Sequence, residues 1–163
     1  MRSADELASQ VREMEVAGRE LSRQREKATS SLNTLESDQS DARRRLADLE
    51  RAHSRLKEEL RDAEAAYERT NDEWKRRSFD GTDKDDLKRA LRDREQSVSK
   101  TRDQIRDDAR DLDRAKDSVR DFEREEKRTS EQLREIDREI AKLGERERDL
   151  RRELDRVQSQ GLG

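Results

Sequence analysis

Apolar residues recur along this chain with a period of seven, spaced alternately by three and four. With Leu7 as a d position, the d series runs through Met14, Leu21, Ala28, Leu35, Ala42, Leu49, Leu56, Ala63 and Thr70. The a series runs through Val11, Gly18, Arg25, Leu32, Gln39, Leu46, His53, Leu60, Tyr67 and Trp74. A second frame begins at Leu87 and is as regular. Its d positions are Leu87, Arg94, Thr101, Asp108, Ala115, Phe122, Thr129, Ile136, Leu143, Leu150 and Val157. Its a positions are Leu91, Val98, Ile105, Leu112, Val119, Glu126, Leu133, Ile140, Glu147 and Leu154. About a quarter of the chain therefore carries most of its apolar side chains, which is the signature of a helical seam of the coiled-coil kind.

The two frames do not join. Trp74 to Leu87 is the wrong spacing for one continuous heptad, and between them lies Ser78-Phe79-Asp80-Gly81-Thr82. A slip in a rod can be absorbed as a stammer, but here it coincides with turn-forming residues. Thr82 or Asp83 is placed to cap a second helix, and Asp85 and Asp86 suit its first turn. The pattern predicts an all-α fold, a long antiparallel two-helix coiled-coil hairpin, open to further association into a larger bundle. One unit over 1–163 is expected, with arm 1 over about 4–77, a turn over about 78–83 and arm 2 over about 84–159. Each arm, at 1.5 Å per residue, would reach roughly 110 Å.

Folding at the turn so that Trp74 meets Leu87 fixes every other layer. It pairs Leu7 with Leu154, Val11 with Leu150, Gly18 with Leu143, Leu21 with Ile140, Leu49 with Leu112 and Leu56 with Ile105. Small residues then face larger ones, as Ala42 faces Val119 and Leu46 faces Ala115, which is how a seam interdigitates. His53 lands opposite Asp108, and one polar layer of this kind fixes register at some cost in stability. Replacing His53 by Leu is expected to keep or raise stability while loosening alignment. Ser3-Ala4-Asp5-Glu6 reads as a capping box, and Gly161 as a helix stop with Leu162 packing back. Gly18 and Gly144 fall at nearly one height, as an elbow, a docking notch or two neutral glycines.

Composition narrows the choice of fold. Of 163 residues, 51% are charged, 27% hydrophobic and 2% aromatic, with no Pro and no Cys. That is too little apolar material for a globular core, and absence of Pro favours long helices over disorder. The 40 basic and 43 acidic residues are interleaved and leave a net charge of −3. Such balance gives no electrostatic footprint for nucleic acid. The clusters Arg43-Arg44-Arg45 and Lys75-Arg76-Arg77 are flanked by acids and read as solvated faces. Without Cys there are no disulfides, thiolate nucleophiles or Cys-held metals. No apolar run would cross a bilayer and no signal peptide is visible, so a cytoplasmic protein is expected.

Chemistry finds little purchase in this sequence. His53 is the only histidine, and a metal site needs three or four ligands. The acidic turn, Asp80, Asp83, Asp85 and Asp86, lacks the spacing of a calcium loop, and no phosphate loop surrounds Gly81. The sequence thus predicts no catalytic, cofactor-binding or metal-binding residue, no small-molecule substrate and no enzyme. The candidate interaction seam is Leu7, Val11, Leu21, Leu32, Leu35, Leu46, Leu49, Leu56, Leu60, Trp74, Leu87, Leu91, Val98, Ile105, Leu112, Val119, Leu133, Ile136, Ile140, Leu150 and Leu154, with His53 and Asp108 as register pin. The expected partner is a second copy or another helical protein.

The heptads resemble those of long coiled-coil arms at large, such as the structural-maintenance-of-chromosomes ATPases. That resemblance implies an arm of a larger chromosome- or cytoskeleton-associated machine. Around the turn, Trp74, Asp80-Gly81 and Leu87-Lys88-Arg89-Ala90-Leu91 look similar to the helical hairpin of the phage shock protein A family, bacterial relatives of ESCRT-III. That likeness covers about twenty residues, and the turn spacing here departs from the family's. It implies self-assembly into scaffolds at a membrane surface. Three readings therefore stand at this point: a non-enzymatic structural scaffold or spacer, a membrane-associated scaffold, and an arm of a larger assembly.

Overall fold

A computed structural model of the chain describes residues 1–80 and 85–161, with the side chains of 78–80 left out. The described residues form two helices, α1 (Ala4–Asp80) and α2 (Asp85–Gly161), each of 77 residues. They pack against each other antiparallel as an all-α helical hairpin, and no strand occurs among the described residues. Helix α1 runs three residues beyond the expected end at 77, because Ser78 and Asp80 continue the helix instead of leaving it. Of the expected turn, 81–83 lie outside the described residues, as do the caps assigned to Thr82 or Asp83 and the packing of Leu162. Helix α2 opens at Asp85, with Asp85 and Asp86 in its first turn, and closes at Gly161.

The start of α1 shows how sequence sets a helix boundary. The Ser3 hydroxyl accepts from the Glu6 amide at 3.2 Å, and the Ser3 amide donates to the Glu6 carboxylate at 3.0 Å. The Leu7 amide donates to the Ser3 carbonyl at 3.1 Å. These bonds satisfy donors that a helix N-terminus otherwise leaves without acceptors. Ser3→Ala is expected to cost about 1 kcal/mol, read as a small fall in the urea midpoint. An unchanged midpoint would show that the box contributes nothing to stability.

The chain divides into two compact units, 1–39 with 121–163, and 40–120. In the first, Leu7, Val11 and Leu150 form a buried cluster, with Met14, Leu154 and Val157 packed against it. Leu7 is its one fully enclosed side chain. Arg2 donates to Gln10 at 3.1 Å and to Glu153 at 2.8 Å, tying the N-terminal residues to α2. Arg25, at an a position, is exposed and donates to Asp137 across the helices at 2.7 Å.

In the second unit burial is uneven between the helices. Leu87, Val98, Thr101, Leu112, Ala115 and Val119 are buried, and all lie on α2. The α1 residues at the matching heights, Ala42, Leu46, Leu49, Leu60, Ala63 and Trp74, are half-buried. Small and large residues alternate between the helices, Leu46 opposite Ala115 but Ala42 opposite Val119. The Lys88 ammonium lies 5.7 Å from the centroid of the Trp74 ring, within reach of a cation–π attraction. Exposed ion pairs such as Arg51 with Asp48 at 3.2 Å and Arg77 with Glu73 at 3.0 Å decorate the outer faces and add little each.

Candidate functional site

The candidate site is the seam itself, since the helices bury nothing else. Of the residues proposed for it, Leu7, Val11, Leu87, Val98, Leu112, Val119 and Leu150 are buried. Leu21, Leu32, Leu35, Leu46, Leu49, Leu56, Leu60, Trp74, Leu91, Ile105, Leu133, Ile136, Ile140 and Leu154 are half-buried. Of all the a and d positions, only Arg25 and Arg94 are exposed. Both are long enough to carry their guanidinium to water from an inward-facing Cβ.

Polar groups interrupt the seam at several layers, three of which hold its most enclosed polar side chains. His53 Nδ1 lies 2.9 Å from Asp108 Oδ2, with the two side chains 17% and 13% exposed. A carboxylate this far from water needs its donor, and the imidazole supplies it across the helices. This geometry corrects the expectation for His53→Leu, because removing the ring alone strands Asp108. Gln39 and Thr101 are the other buried polar residues. The Thr101 hydroxyl donates to the Ser97 carbonyl one turn back at 2.9 Å, so α2 meets its need without a partner from α1. Among the described residues no buried side-chain N or O lacks a hydrogen bond. Sequence reasoning placed Gln39 and Thr101 on the seam without singling them out. Their heptad positions were the available signal.

Cross-helix ion pairs were also missed. Glu15 meets Arg151 at 2.6 Å in the first unit, and Glu64 meets Arg102 at 3.1 Å in the second. Each of these four residues directly follows a d position, at heptad position e. Opposite charges at matched e positions were the signal that could have found them.

Each unit has an open groove beside its pair. In the second unit, Tyr67 and Val98 floor a groove of about 830 Å³ rimmed by Glu64, Glu68, Glu95 and Arg102. In the first, Gly18, Ile140, Leu143 and Gly144 floor a shallower one of about 480 Å³ between Glu15, Arg19, Ser22 and Glu147. Neither is an enclosed pocket of the kind that shields a reaction from water. Among the described residues, no three of His, Asp and Glu converge to hold a metal ion. Asp85, Asp86 and the basic runs at 43–45 and 75–77 are exposed. The other acidic turn residues, Asp80 and Asp83, have no described side chains. No described helix is long and apolar enough to cross a membrane. No family model, curated protein or solved structure matches this chain.

Proposed function

We propose that this protein is a non-enzymatic coiled-coil scaffold or spacer, working through association of its helices with a second copy or with another helical protein. The observation that carries this reading is the uneven seam. Leu46, Leu49, Leu56 and Leu60 remain half-buried after the hairpin has formed, so apolar area is left for a further helix to cover. Surface area supports it as well. The chain exposes 12713 Å² at 19.3 kDa, whereas a compact monomer of that mass exposes roughly 8500 Å². A seam of leucines with polar layers suits recognition of helices.

Mass by light scattering against concentration tests the proposal, because self-association shifts with mass action. The expected result is a mass at least twice that of the chain at micromolar concentration, falling on dilution. A monomer at every concentration, with no helical partner recovered on crosslinking in cells, would sink it. Pelleting with anionic vesicles would instead favour the membrane-scaffold reading.

A further inference from the structure

We infer that the two helices of the first unit part in one cooperative step over 4–35 and 126–157 when the cluster around Leu7 opens, while the second unit stays closed. The inference concerns the hairpin alone and does not depend on the scaffold reading.

Burial in the first unit is confined to its two limits. At one, Leu7, Val11 and Leu150 are enclosed, with Met14, Leu154 and Val157 against them. At the other, Gln39 is buried. Between them, from Gly18 with Leu143 to Leu35 with Glu126, six successive layers hold no buried residue. In the second unit no more than two successive layers lack one. The sequence accounts for the gap. Gly18, Arg25, Thr129 and Glu126 each take one place in a layer, and only Leu21 with Ile140 sets two bulky apolar residues at one height. Arg25 turns out to water, where its 2.7 Å bond to Asp137 joins two side chains that are each about half exposed. An ion pair so exposed adds little.

A helix in a protein draws most of its stability from the face it packs. These six layers take little apolar area out of water, so they hold α1 and α2 together weakly. What keeps them shut is the cluster beyond them, together with Arg2, which reaches Glu153 at 2.8 Å. A stretch held from beyond its own length opens as a sub-global unit, apart from better-packed regions. Parting brings Leu21, Leu32, Leu35, Leu133, Ile136 and Ile140 into water as two separate apolar stripes, each the half of a seam that a further helix completes. The first unit thus conceals a helix-pairing surface whose exposure is set by the contacts at Leu7.

Hydrogen–deuterium exchange of the dilute full-length chain, read peptide by peptide by mass spectrometry, tests this. In the wild type, amides of 18–35 and 126–143 are expected to exchange roughly tenfold faster than those of 42–63 and 98–119, at a common rate on both helices. Leu7→Ala is expected to speed exchange roughly tenfold over 4–35 and 126–157 together and to leave 42–119 unchanged. Thr129→Leu, which adds apolar area at the height of Leu32, is expected to slow exchange severalfold over the same two segments. If Leu7→Ala quickens exchange only in the first turns of α1, the helix end merely frays and the inference fails. Quickening that reaches 42–119 would show one global opening and overturn it as well. So would a Thr129→Leu effect confined to its own turn, or equal protection of the two units in the wild type.

Discussion

Leu112→Asp is expected to lower stability by about 4 kcal/mol, which is a large part of what holds most small proteins folded. Leu112 is 7% exposed on α2, at the height of Leu49 on α1. A carboxylate there must either stay charged in an apolar layer or take up a proton, and both are costly. No described base is bound to this layer to receive it, unlike Asp108 four residues earlier, which has His53. Urea denaturation followed by circular dichroism at 222 nm gives the measurement. The matched control is Val16→Asp, at a position 59% exposed, where a change within about 0.5 kcal/mol is expected. If both variants unfold at the wild-type midpoint, the layer at Leu112 does not hold the helices together.

The second large effect concerns the His53–Asp108 layer, and it has a sign that depends on how the layer is changed. His53→Leu alone leaves the Asp108 carboxylate, 13% exposed, without its 2.9 Å partner. The expected loss is about 2–3 kcal/mol. Replacing both residues by Leu removes the desolvated groups together and fills the layer, so stability should return to the wild-type value or exceed it. The coupling between the two changes is then strongly favourable in a double-mutant cycle. Additive effects would show that the two side chains do not act on each other. If the layer fixes alignment, the double variant should also broaden the distances between spin labels placed on α1 and α2. A distribution as narrow as wild type would assign alignment to the apolar layers alone.

Much of the fold was legible because the three-four spacing never slips within either arm. One anchor, Trp74 near Leu87, then propagates to distant positions. It places His53 by Asp108, which the structure brings within 2.9 Å, and Gly18 by Leu143, whose Cδ2 would lie 3.4 Å from a Cβ built at Gly18. The end of α1 was less legible. Ser78 and Asp80 favour turns as single residues, yet they remain helical to Asp80, since short-range preference is weak against a helix already propagating. Arg25 and Arg94 are exposed at a and d positions, because a long side chain can leave an inward position. The partner was not legible, because exposed Arg, Glu and Asp repeat along both helices and mark no single face.

The two ends of the hairpin also differ in how far the chain must wander to make a contact. Lys88 and Trp74 are neighbours after a short excursion, whereas Arg2 and Glu153 are 151 positions apart. Closing the longer loop from a disordered chain costs about 2 kcal/mol more in entropy. The helices should therefore nucleate beside Trp74 and zip outward, each layer shortening the search for the next. Unfolding is then expected to run in reverse, beginning where Arg2 binds Glu153. The capping box at Ser3 and the cluster around Leu7 thus act as a latch on the slowest contact to form.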